Sequence, residues 1–134
     1  MFFSFTITTP ASTLDPSPKV TVLPLDSGQI RRLIISFPPG PAGLLHLELY
    51  HVGHKLWPTN PDELFNFDGT SFAWEEQLDF LEPPYELLAY TYNLDDTFAH
   101  DVDVGIEILE PDKLATQAGL ATGLLSFLRL VFGR

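Results

Sequence analysis

Residues 101–109 alternate without an error: Val102, Val104, Ile106 and Ile108 stand against Asp101, Asp103, Gly105 and Glu107. Strict alternation of this kind means a strand with one buried face and one wet face. Such a strand must be covered by a second layer, which commits the chain to a half-buried sheet. It is the second half of a longer stretch, residues 85–109, that reads as a hairpin of two strands flanking a polar loop.

The same alternation recurs upstream. Phe3, Phe5 and Ile7 alternate with Ser4, Thr6 and Thr8, and Leu33, Ile35 and Phe37 share a face. Leu45, Leu47 and Leu49 face away from His46, Glu48 and Tyr50, and Phe72, Trp74, Leu78 and Phe80 keep one register. Residues 19–25 form a short strand whose Pro24 belongs at an edge or at the end of pairing. Residues 54–63 are expected as a long surface loop, residues 65–67 as a short strand, and Asp68-Gly69 as a hairpin turn. About eight short strands separated by Pro- and Gly-rich punctuation are the pattern of a sandwich or jelly roll. No helical period precedes residue 112, so crossover helices, and with them an α/β fold, are excluded. The expected fold is all-β: an antiparallel β-sandwich, jelly-roll-like or C2-like, over residues 1–111, followed by one C-terminal α-helix over residues 112–134.

The chain's 134 residues suffice for one core, and the absence of cysteine excludes disulfides and thiolate metal sites. Charge divides sharply. Residues 1–112 carry four basic and eighteen acidic side chains, a net −14, whereas residues 113–134 carry three basic and no acidic ones. A body this acidic repels phosphate backbones, so nucleic acid is not expected as a partner. The first ten residues have no basic leader and no sustained apolar run before Pro10, so no secretory signal is expected.

The loop from Asn93 through Asp95, Asp96 and His100 to Asp101 and Asp103 gathers the oxygen ligands that calcium takes. Residues 74–80 (WEEQLDF), 92–95 (YNLD) and 101–105 (DVDVG) together resemble the second half of a C2 domain. The resemblance covers about a quarter of the chain. It implies a calcium- and lipid-binding β-sandwich with Asn93, Asp95, Asp96, Asp101 and Asp103 as candidate ligands. Asn93 stands where that family carries Asp, the final loop has an extra residue before the Gly, and no first calcium loop matches.

Other candidates are weaker. His51 and His54, with His100, are a possible metal set whose spacing is broken by Gly53. Trp57 and Tyr50 could form a stacking platform for carbohydrate. Glu75 and Glu76 point to opposite faces of a strand and cannot act as a catalytic pair; Glu76 falls in the inward register, where a bulge re-aims it or it lines a groove. No nucleophile elbow, cysteine or phosphate-cradling glycine loop is present, so an enzyme is not expected and no cofactor is implied.

The tail changes character. Leu114, Ala118, Ala121, Leu125, Leu128 and Phe132 fall on one helical row, with Leu120, Leu124, Phe127 and Val131 beside it. Gly119 and Gly123 would each cost such a helix about 1 kcal/mol relative to alanine, so it needs a partner surface. Its polar residues and Arg129 dilute it as a membrane span. The expectation is therefore a structural or interaction protein, such as a virion or shell accessory component. It would form a homo-oligomer, or attach to a larger assembly, through Leu114, Ala118, Ala121, Leu124, Leu125, Leu128, Arg129 and Phe132. The alternative is a ligand-binding sandwich for calcium with lipid, or for carbohydrate.

Overall fold

The computed structural model describes residues 1–113. Eight strands make up the fold: β1 (Phe2–Thr9), β2 (Lys19–Pro24), β3 (Gly28–Phe37), β4 (Leu45–His51), β5 (His54–Trp57), β6 (Thr70–Phe80), β7 (Glu86–Asn93) and β8 (His100–Leu109). They form two antiparallel four-stranded sheets, with orders β1-β8-β3-β6 and β2-β7-β4-β5. The pairs β1 with β8, β2 with β7, β3 with β6 and β4 with β5 lay the first half of the chain against the second. The resulting ribbon then folds over so that β8 also meets β3 and β7 also meets β4.

Alternation supplies the core. Val102, Val104, Ile106 and Ile108 of β8 are at most 1% exposed and pack with Ile30, Leu33, Ile35 and Phe37 of β3. The second sheet adds Leu23, Leu45, Leu47, Leu49, Trp57, Leu87 and Ala89, so among the described residues every buried member of this core comes from a strand. Pro24 lies at the end of edge strand β2, where its missing N–H interrupts no ladder.

Three sequence expectations are corrected. Residues 85–109 are not a hairpin: β7 and β8 lie in different sheets and pair with different neighbours. Alternation reveals which side chains point inward, but the partner strand is chosen by contacts distant in sequence. Residues 54–57 are a strand and not a loop. Val52 and Gly53, with φ of 49° and 76°, make a two-residue turn that folds His54 back onto His51. Asp68-Gly69 is not a hairpin turn either. Phe65 makes a lone bridge to Leu47, and the Asp68 carboxylate instead accepts the amides of Gly40 and Ala42 at 2.8 and 3.0 Å. Those two amides hold the Asp68 carboxyl below its usual range.

Gly28 opens β3 at φ 146°, and a Cβ there would lie 2.2 Å from the Leu109 carbonyl oxygen and 2.6 Å from an Ile108 methyl. Gly28→Ala should therefore lower unfolding free energy by about 3 kcal/mol, since backbone must move to admit the methyl. Val52→Asn should do the opposite and stabilise by about 1 kcal/mol. It relieves a β-branched residue of a left-handed conformation while removing only an exposed side chain. Urea unfolding of the two variants beside the parent protein measures both signs.

Candidate functional site

A concavity lined by aromatic, imidazole and carboxylate side chains lies on the outer face of the second sheet. Outward positions of β4 present His46, Glu48 and Tyr50, and those of β7 present Tyr90 and Tyr92. Tyr50 and Tyr90 stack with ring centroids 4.4 Å apart. An outward Glu48 would ordinarily be wet, yet it is only 8% exposed. The cause is Lys55 of β5. Its ammonium donates to the carbonyls of Asn60, Pro61 and Glu63 at 2.8, 3.1 and 2.6 Å and lies 3.6 Å from the Glu48 carboxylate. One ammonium thus fastens residues 60–63 across the sheet.

Between that fastened loop and the strands is a hollow of about 300 Å³. Tyr92, Leu94, Pro61 and Leu64 give it apolar walls, and Asp15, His46, Glu48, Asp62 and Glu63 give it polar ones. Burial first, then the Glu48 and Asp15 charges, raises the Tyr92 hydroxyl above its ordinary value. Burial, then Glu48 and Tyr90, does the same to Tyr50. The field in the hollow is negative. Nothing in the sequence singles out Asp15, Asp62, Glu63 and Tyr92 as a group; the loop clamp brings them together, and only its contacts show it.

The calcium candidates do other work. Asn93 is fully buried: its amide nitrogen donates to the carbonyls of Thr9 and Phe98 at 3.1 and 2.9 Å, and its Oδ1 accepts the Asp95 amide at 3.0 Å. Asp95 accepts the Thr97 and Phe98 amides, and its Oδ2 lies 2.8 Å from His100 Nε2. The His100 contact first, then those amides, holds its carboxyl below the usual range. Asp95 and Asp68 therefore stabilise the fold above the ordinary carboxylate range, and that contribution is lost as pH falls through their lowered values. Asp96 accepts the Thr97 hydroxyl, and Asp101 and Asp103 accept those of Thr8 and Thr6 across the β1–β8 ladder. Among the described residues no three His, Asp or Glu side chains come together to hold a metal ion.

The remaining candidates are likewise dispersed. His51 meets Phe80 in a tilted contact, ring centroids 4.5 Å apart, and its Nε2 lies 3.2 Å from the Pro84 carbonyl oxygen, while His54 is exposed. His100 pairs with Asp95 instead of joining them. Trp57 is 6% exposed and belongs to the core, so it offers no stacking platform with Tyr50. Its indole N–H and that of Trp74 both donate to one oxygen of Glu76 at 2.9 Å. A bulge does occur here, with Arg31 standing opposite Glu76 and Gln77. It does not turn Glu76 outward, and the carboxylate borders a cavity of about 740 Å³ with Arg31, Arg32 and Lys113. The tail contacts Leu114, Ala118, Ala121, Leu124, Leu125, Leu128, Arg129 and Phe132 lie outside the described residues, and among those described no helix is long and apolar enough to cross a membrane. Neither a protein-family model nor a curated protein matches this chain.

Two measurements check these assignments. Asn93→Asp should cost about 3 kcal/mol at neutral pH, because two buried carbonyls would face a carboxylate that cannot donate. The gap from the parent should narrow as pH falls and the new carboxyl gains a proton to give. Glu48→Gln should lower the pKa of Tyr50 and Tyr92, two of the four tyrosines, toward the ordinary value without reaching it, since burial remains the larger cause. Ultraviolet titration of tyrosinate reads this directly.

Proposed function

We propose that this chain is a non-enzymatic interaction protein, a jelly roll that self-associates or attaches to a larger protein assembly through residues 113–134. The pairing of β1 with β8, β2 with β7, β3 with β6 and β4 with β5 supports the jelly-roll assignment over a C2-like one. Fold alone assigns no function. The observation that carries the proposal is the apolar row from Leu114 to Phe132, which follows a body whose described buried core is built from strand residues. Such a row calls for a surface to cover it. Charge supports the same conclusion, because a segment with three basic and no acidic residues follows a body of net −14.

A ligand-binding module is the second reading, and the hollow beside Tyr92 is the observation that favours it. The two readings separate on the C-terminal segment. Under the assembly proposal the full chain sediments as an oligomer, and a chain ending at residue 112 sediments as a folded monomer. A full chain that stays monomeric at every accessible concentration would overturn self-association, and a truncated chain that assembles like the parent would overturn the role of residues 113–134.

A further inference from the structure

We propose that the hollow bounded by Tyr92, Glu48, Asp15, Asp62 and Glu63 receives an arginine side chain from the C-terminal segment of a second copy of this chain. This rests on the assembly reading above and names the surface that the segment meets.

The chemistry of the walls selects the occupant. Four carboxylates line the hollow, and the neighbouring Lys55 ammonium is committed to Glu48 and to three loop carbonyls. An anion is repelled. A neutral sugar would use the Tyr92 ring, but the desolvation of the carboxylates would go uncompensated. A guanidinium uses both walls: its plane stacks on an aromatic ring, and its fork of N–H donors matches carboxylate oxygens. A volume of about 300 Å³ is on the scale of one long side chain rather than of a helix.

The chain itself supplies such a group. Arg129 and Arg134 belong to a segment with no acidic residue, so no neighbour within that segment neutralises them. Geometry favours a second copy over the same one. The described chain reaches Lys113 beside Met1, Arg32 and Glu107, at the border of the first sheet's 740 Å³ cavity. The hollow lies on the outer face of the other sheet, against Tyr92 and His46, near where β4 begins and β7 ends. The two lie on different sheets, so a second copy's hollow is the one this segment could meet without rounding its own sandwich.

Charge exchange in the full-length chain tests the contact. Asp62 and Glu63 are exposed, and no hydrogen bond of their side chains is among those that fasten the loop, so Asp62→Lys with Glu63→Lys should leave the β-sheet circular dichroism spectrum of the folded chain unchanged. Sedimentation velocity should show self-association weakened by roughly tenfold or more in that variant, and equally in Arg129→Glu with Arg134→Glu. Combining the two sets should restore association to within about threefold of the parent. Failure of the combination to recover overturns the contact. If truncation at residue 112 dissociates the oligomer while the Asp62/Glu63 variant assembles normally, the segment docks elsewhere and only this inference falls. A parent chain that is monomeric throughout removes this inference and the self-association reading together.

Discussion

One buried amide holds both ends of the fold's longest decision. Asn93 ends β7, and its backbone exchanges hydrogen bonds with Thr13 in the β1–β2 connection at 2.8 and 3.1 Å. Its side chain donates to Thr9 at the end of β1 and to Phe98 in the β7–β8 connection. Two separate crossings between the sheets are thereby fixed to one residue, and the Thr9–Thr91 hydroxyl contact at 2.8 Å adds a further tie between the layers. A crossing buries backbone that has left its ladder, and each unpaired group there would cost free energy comparable to a lost hydrogen bond. Only an amide fits, since the site demands two donors and one acceptor.

The other crossings at this end use the same device with different chemistry. Asp68 accepts two amides of the β3–β4 connection, and Lys55 donates to three carbonyls of the β5–β6 connection. Anion meets N–H groups and cation meets C=O groups, as the polarity of the backbone requires. The hollow follows from the last of these. Clamping residues 60–63 onto the sheet takes Glu48 out of water, a cost offset by the Lys55 charge, and leaves a concave space that Tyr92 walls. The candidate site is thus a consequence of how the fold closes its loops.

This explains what could be read from the sequence and what could not. The alternation of residues 102–108 marked the inward face of β8 correctly, and the other alternating runs marked theirs, because burial on one side imposes a period of two wherever the strand sits. Pairing left no such imprint: β7 and β8 adjoin in sequence but not in a sheet. The strand His54–Trp57 was hidden because it is short and ends at a proline, although Gly53 offered a turn signal. Glu76 looked anomalous between Trp74 and Leu78. Its partners, two indole N–H groups, come from residues 57 and 74, and only the first of these lies outside its own strand. Asn93 looked like a damaged calcium ligand for the same reason, since its acceptors at Thr9 and Phe98 are invisible without the fold.

The edges of the sheets constrain how such a molecule can associate. Strand addition needs a flat, unblocked edge. β5 is only four residues long, β2 ends in Pro24, and β6 carries Glu75, Glu76 and Asp79 with a bulge. β1 remains, with Thr6 and Thr8 hydrogen-bonded to Asp103 and Asp101 on its neighbour. Two bodies of net −14 repel one another before any edge can pair, although salt limits that repulsion to a range of about 8 Å. A segment of opposite sign would lower that barrier, and the contact proposed above is of this kind. The charge division and the three interrupted edges therefore disfavour extension of either sheet and leave β1 as the one described edge open to it.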